Sequence, residues 1–324
     1  MFALDGIGYE IARNAWTQAE LSCLDSVFPT VSSAAWLSSL TGLTVEEHGV
    51  PGVVFTMPGE THAENLYGYQ KPFTDVPPGN IFQDAIDLGY RSIAVLGDLA
   101  GYRCSWRDLL LTGADVRNGT PMFTVPDTPY SIPSLSEVDI QLRASIAEAS
   151  ASGEGPGLIW CFVEIDSHIH HHGNDSFVTE FLHKIEHLAL DLVAAGTVVL
   201  AHSDHGHTRT RHDQRLQDQL DELGAEHGFS MGGAGRTRWL YPAAHTSGEL
   251  IELLRSRLPG SVKVESSDIA FAPGSIVRSR VGDILITAEG EEFLAPPGYE
   301  YDHGSWTVAE RKVPFARWGA TDAA

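Results

Sequence analysis

Residues 197–207 read TVVLAHSDHGH. Thr197 and the run Val198–Ala201 have the composition of a buried strand. That strand leads straight into His202, Asp204, His205 and His207, with Gly206 in the turn. Parallel α/β sheets hold ligands beyond the carboxyl ends of their strands. A carboxylate and an imidazole delivered there side by side make a donor pair suited to a borderline divalent ion such as zinc. An adjacent Asp-His in a loop is as readily a pair of solvated side chains, so the reading turns on whether other strand ends supply partners.

Two other strand ends do. Phe2–Leu4 is a short apolar run ending at Asp5-Gly6, where glycine lets the chain turn sharply. Gly157–Ile165 (GLIWCFVEI) is another buried run, and DSHIHHHG follows it, with Asp166, His168, His170, His171 and His172 ahead of Gly173. Arg91–Gly97 reads as a further central strand. Helical patterning appears at Ser33–Leu40 with Ala35, Trp36 and Leu40 inward, and again around Asn80–Leu88. Ser134–Ser150 has a stripe of Leu135, Val138, Leu142 and Ile146, and Ser134 and Glu137 have capping-box spacing. Phe177, Phe181, Ile185, Leu188 and Leu192 mark a helix closing at Gly196, and Leu216, Leu220 and Leu223 mark one more.

Strands alternating with helices predict an α/β fold with a mostly parallel sheet between helices. Outside its helix and strand, Pro51–Pro133 is dense in Gly, Pro and aromatics and reads as long loops over the site. Residues 236–298 change character, with Trp239–Tyr241, a helix over Glu249–Leu258, and Ser261–Val264 and Asp283–Thr287 extended. The expected organisation is a catalytic core of 1–235 and 299–324 carrying a small, cap-like α+β insertion at 236–298.

The 324 residues carry 21 Lys and Arg against 43 Asp and Glu, a net charge of −22. That balance argues against nucleic-acid polymers and anionic membranes as partners. It also repels free anions, so a phosphate site would need local positive charge, which bound divalent metals supply. Cys23, Cys104 and Cys161 fit no zinc or redox spacing, and Cys161 in LIWCFV reads as a small buried hydrophobe. No membrane span or secretory leader is visible, and the expected location is cytoplasmic. Nothing bears on oligomeric state.

A nucleophile is offered by Ser26–Gly49, SVFPTVSSAAWLSSLTGLTVEEHG. A serine at a helix start can be a plain cap, or it can sit where backbone N–H groups favour a phosphate or an alkoxide. Ser32 and Ser33 are adjacent candidates.

Taken together, these segments resemble the alkaline phosphatase superfamily, closest to its type I phosphodiesterase/nucleotide pyrophosphatase branch. LDGIG resembles the first metal aspartate segment, and FPTVSSAAWLSSLTGLTVEEHGV the nucleophile segment, with Ser32 in the nucleophile's place. EIDSHIHHHG resembles the D-x-x-x-H-x-x-G segment, and SDHGH and DHGSWTVAERKVP resemble the last two metal segments. The motifs run in family order from Asp5 to Pro314, while 55–150 and 236–298 match only loosely.

The resemblance implies an alkaline-phosphatase-like core and two divalent ions, zinc first, with manganese or iron as alternatives. Asp166, His170 and His303 would hold the first ion. Asp5, Asp204 and His205 would hold the second, which also binds Ser32. Ser32 would attack phosphorus in line to give a phosphoseryl or nucleotidyl-seryl intermediate, released by water activated at the first metal. The substrate would be a small phosphorylated or nucleotide molecule. Arg236, Arg238, His168 and His172 are candidate substrate contacts, and His171, His202 and His207 are expected in supporting or surface roles.

One departure bears on the substrate. Diesterase relatives carry a phosphoryl-binding asparagine shortly after the H-G-[IV] turn, but here His48-Gly49-Val50 is followed by Pro51, Gly52 and Val53. A phosphomonoesterase therefore stands as the alternative. Sulfatase chemistry is disfavoured, since VSSAAW lacks the C/S-x-P-x-R context. An inactive metal- or phosphate-binding module would not require the retained serine.

Overall fold

The computed structural model describes residues 1–123, 132–153, 155–243 and 247–319. The apolar runs form the centre of a seven-stranded sheet. Its order is Glu20–Asp25, Lys312–Trp318, Val199–Ser203, Phe2–Asp5, Gly157–Glu164, Arg91–Val95 and Asp115–Arg117. The last five of these run parallel to one another, and Lys312–Trp318 pairs antiparallel on both sides.

Side chains on the central strands alternate between two apolar layers, as a period of two residues requires. Phe2, Leu4, Cys161 and Val163 face the helices Leu135–Ala151 and Ser176–Ala194, packing on Val138, Leu142, Phe181 and Ile185. Ala3, Trp160 and Phe162 face the opposite way, onto Trp36 and Leu40 of the Ser32–Thr41 helix, Phe82 and Trp106. The Ser134–Glu137 capping box forms as its spacing predicts. The α/β fold with a mostly parallel sheet between helices is therefore the observed one.

A second, six-stranded sheet is antiparallel throughout and packs against the helices Gln214–His227 and Ser247–Arg257 through Leu216, Leu220, Leu240, Leu254 and Ile286. Three of its strands, Thr237–Pro242, Val262–Ser266 and Ile284–Ala288, lie within 236–298. Phe229–Ala234, Val54–Thr56 and Ala63–Asn65 come from outside that segment. The stretch expected as long loops thus supplies two strands to this sheet, Asp115–Arg117 to the first, and also the helix Ser105–Leu110. Three-residue strands are too short to show alternation, which is why the sequence reads as loop there. Residues 124–131 of that stretch lie outside the described residues.

Trp36 joins the Ser32–Thr41 helix to the sheet. It is fully buried and meets Trp160, Phe162 and His202 edge-on, with ring centroids 6.0, 5.7 and 5.2 Å away. Trp36→Ala is expected to destabilise the fold by about 3–5 kcal/mol, read as a lower urea midpoint at unchanged m-value.

Candidate active site

Phe2–Asp5 lies between Gly157–Glu164 and Val199–Ser203, in the registers Asp5 to Glu164 and Leu4 to Ser203. Three adjacent parallel strands therefore end at one edge, with Asp5 the last residue of its strand and Asp166, Asp204 and His205 just beyond theirs. The turns interlock through backbone groups: Gly6 N–H donates to Asp204 Oδ1 (3.1 Å) and Ile7 N–H to Ser203 Oγ (2.9 Å). Gly6 has φ +85°, and a Cβ there would stand 2.7 Å from His207 Cε1.

DSHIHHHG forms a helix, Asp166–His172. At a spacing of four residues Asp166 and His170 share one helix face, and His170 Nε2 lies 3.1 Å from Asp166 Oδ2. His303 arrives from the segment after the second sheet. Its Nδ1 bonds the Thr30 carbonyl (2.8 Å), and Gly304 N–H donates to Thr30 Oγ1 (2.9 Å). The stretch just before Ser32 is thereby tied to the last histidine.

Ser32 is the first residue of its helix, and its Oγ lies 3.1 Å from Asp5 Oδ1 and 3.0 Å from His205 Nε2. Ser33 is fully buried and its Oγ has no hydrogen-bond partner. Of the two hydroxyls, it is that of Ser32 that meets Asp5 and His205.

Two groups of side chains converge here. Asp166, His170, His207 and His303 form one, and Asp5, Asp166 and His205 the other, each offering ligand atoms within 4.8 Å of one another. Asp204 adjoins the second, with Oδ2 3.2 Å from His205 Nε2. Asp166 belongs to both groups. His207, read from sequence as a supporting or surface residue, is buried inside the first, with Nε2 2.7 Å from Asp166 Oδ1. Its signal was available in the alternation of SDHGH, where it follows His205 by two residues.

The electrostatics suit a cation. Burial pushes the Asp5 carboxyl well up, reinforced by Asp204 and Asp166, and burial lifts Asp204 to about 7. Burial drives His205 down to about 3 and His207 to about 4. Burial also opposes charge on His170, but the Asp166 carboxylate outweighs it and raises the imidazole to about 9. Asp166 Oδ1, Asp204 Oδ2 and His207 Nε2 are buried with no hydrogen-bond partner. Asp166 Oδ1 and His207 Nε2 are close enough to bond yet lack the geometry for it. Crowded carboxylates beside inward-facing imidazole nitrogens are a donor set that a divalent ion fits.

Above these groups opens a cleft of about 290 Å³, lined by Asp5, Ser32, Asp166, His170 and His303, with Val53, Tyr67, Tyr102, Tyr299 and Arg238 on its walls. Arg238 donates to the carbonyls of Gly235, Thr237 and Leu294 and still faces the cleft. Arg236 does not reach it. Its guanidinium is fully buried, donates to Thr210 Oγ1 and the Gly290 carbonyl, and lies 3.4 Å from Glu310. His168 packs on Phe177 and His172, with Nε2 3.2 Å from Asp175, away from the cleft.

The chain matches the family model for type I phosphodiesterase / nucleotide pyrophosphatase over residues 17–306. It belongs to that family. The family is metal-dependent, and its members hydrolyse phosphoric esters, as this chain does. No curated protein matches the chain in sequence. Among solved structures, murine ectonucleotide pyrophosphatase/phosphodiesterase 5 is 17% identical with a TM-score of 0.67, covering 98% of this chain and 87% of its own. Phosphonoacetate hydrolase from Sinorhizobium meliloti 1021, in complex with phosphonoacetate, is 15% identical with a TM-score of 0.72, covering 100% and 91%. At these identities the likeness is one of fold, that of the alkaline phosphatase superfamily. Among the described residues no helix is long and apolar enough to cross a membrane.

In this family member the His303 segment is anchored by Glu310, which is fully buried and accepts from Ser305 N–H (2.9 Å), Ser305 Oγ (2.5 Å) and Thr307 Oγ1 (2.5 Å) beside Arg236. Removing it leaves a buried guanidinium without its counter-charge. Glu310→Ala is expected to cost about 3–5 kcal/mol of stability, measured by urea unfolding, and Glu310→Gln less.

Proposed function

We propose that this chain is a two-metal phosphodiesterase or nucleotide-pyrophosphatase-like hydrolase in which Ser32 is the nucleophile. The observation that carries the reading is the position of Ser32 Oγ, within 3.1 Å of both Asp5 and His205 at the start of a ten-residue helix. Asp166, His170 and His303 would hold one ion, and Asp5, Asp204, His205 and Ser32 the other. Two divalent ions there would supply the positive charge that stabilises the attacking and leaving oxygens of an in-line displacement.

The residues themselves supply the rest. Asp5, whose carboxylate has two oxygens, can hold the ion through one and take the Ser32 proton on the other, and a helix N-terminus favours the alkoxide left behind. Attack on phosphorus forms the Ser32 O–P bond as the leaving-group oxygen departs, and water then cleaves the phosphoseryl or nucleotidyl-seryl ester. Arg238 faces the cleft as the one arginine candidate placed to meet phosphoryl oxygens. The Tyr67 hydroxyl, whose pKa burial pushes well up, stays protonated as a donor. Tyr67, Tyr102 and Tyr299 offer faces on which a base or ring can stack.

A second reading rests on Val53. It lines the cleft where diesterase relatives carry an asparagine, and losing such a donor costs on the order of 3 kcal/mol of transition-state stabilisation. A monoester presents more negative charge to the cations and depends less on that donor, so a phosphomonoesterase is the alternative.

Ser32→Ala is expected to abolish nearly all turnover while leaving the circular dichroism unchanged. Activity retained in Ser32→Ala and lost in Ser33→Ala would transfer the role to the neighbour. For the substrate, kcat/KM for p-nitrophenyl thymidine monophosphate and bis-p-nitrophenyl phosphate is expected to exceed that for p-nitrophenyl phosphate. A monoester preference of about a hundredfold, some 2.7 kcal/mol in barrier, would make the chain a phosphatase. Phosphonoacetate belongs in the same comparison.

A further inference from the structure

We infer that His207 is a fourth protein donor at the metal position formed by Asp166, His170 and His303, an inference that rests on the metal-dependent reading above. The three imidazoles are arranged as a nearly equilateral triangle around Asp166. Ring centroids are 5.0 Å apart for His170 and His207, 5.2 Å for His207 and His303, and 5.2 Å for His170 and His303.

Each ring is held the same way round. Nδ1 of His170 meets the Tyr301 carbonyl (2.8 Å), Nδ1 of His303 the Thr30 carbonyl (2.8 Å), and Nδ1 of His207 the Gly6 carbonyl (3.1 Å). A carbonyl only accepts, so Nδ1 carries the hydrogen in each neutral ring and Nε2 turns a lone pair inward. Donors about 2.1 Å from a common centre at tetrahedral angles stand about 3.4 Å apart. Nε2 of His207 and His303 stand 2.7 and 3.7 Å from Asp166 Oδ1, and Nε2 of His170 stands 3.1 Å from Asp166 Oδ2.

The backbone is built to admit His207. Gly6 supplies the carbonyl, and its missing Cβ leaves the space His207 Cε1 fills. His207 Nε2 is buried, lacks a hydrogen-bond partner, and faces the lone-pair oxygen of Asp166. Two such acceptors face to face are unfavourable without a proton or a cation between them. A fourth protein donor makes this position bind its ion more tightly than a three-donor one, and a reacting oxygen would join by expansion to five-coordinate.

The test uses the full chain loaded with Co²⁺. Exchangeable N–H protons of ligating imidazoles give hyperfine-shifted proton NMR signals, and their carbonyl bonds slow their exchange. One such signal each is expected from His170, His205, His207 and His303. His207→Gln is expected to lose one signal and to bind one equivalent about 100-fold more weakly in chelator competition, the least that losing a direct donor should cost. If His207→Gln keeps every signal and the wild-type affinity, the inference is overturned, while uptake of two equivalents by the wild type leaves the proposed function standing. Wild-type protein that takes up no cobalt overturns both. Should the variant not fold, the wild-type spectrum decides alone: a count short of those histidines overturns the inference.

Discussion

Mutual repulsion among buried carboxylates is the constraint on which the rest of the structure depends. Asp5, Asp166 and Asp204 arrive from three neighbouring strands, and each is largely withdrawn from solvent. In water such charges would drift apart, but here the sheet register holds them together. Without a cation, burial and proximity oppose ionisation of Asp5 and Asp204. The fold therefore stores an unfavourable arrangement at one edge and supports it with apolar layers on both faces of the sheet. Strained polar sites sustained by a well-packed scaffold are common where a protein does chemistry.

The supporting contacts are mostly to backbone. Histidine Nδ1 atoms rest on the carbonyls of Gly6, Thr30, Gly206 and Tyr301. Gly206 N–H in turn reaches the Glu310 carbonyl (2.7 Å). A Cβ at Gly206 would lie 2.3 Å from the Ala309 carbonyl, so close approach excludes any side chain there. Backbone partners fix ring orientation without depending on the rotamers of other side chains, which suits a site that must be preorganised.

The central sheet and the strand-end residues were legible because buried parallel strands are continuous apolar runs and their ends are marked by polar residues. Asp5, Asp166, His170, Asp204, His205 and His303 fall together in space as their positions after those runs suggest. The second sheet was less legible, since Val54–Thr56 and Ala63–Asn65 are too short to carry a period and pair with strands distant in sequence. The seven-residue helix Asp166–His172 was missed because a histidine-rich stretch has weak helix propensity and no long apolar stripe. Arg236 reads as a candidate substrate contact, yet a buried Glu310 some seventy residues later holds it in the interior. Pairings of that kind are invisible until the chain is folded.

The segment carrying His303 also sets when the site can exist. Its donors are spread from Asp5 to His303, and Lys312–Trp318 must insert between Glu20–Asp25 and Val199–Ser203 to complete the sheet. On the ribosome the first strand and the Ser32 helix emerge long before either. A nascent chain thus holds its hydroxyl and first aspartate apart from the last histidine until the C-terminal strand docks. Assembly of the candidate site therefore waits for residues 303–318, and a chain truncated before residue 303 lacks one of its histidines.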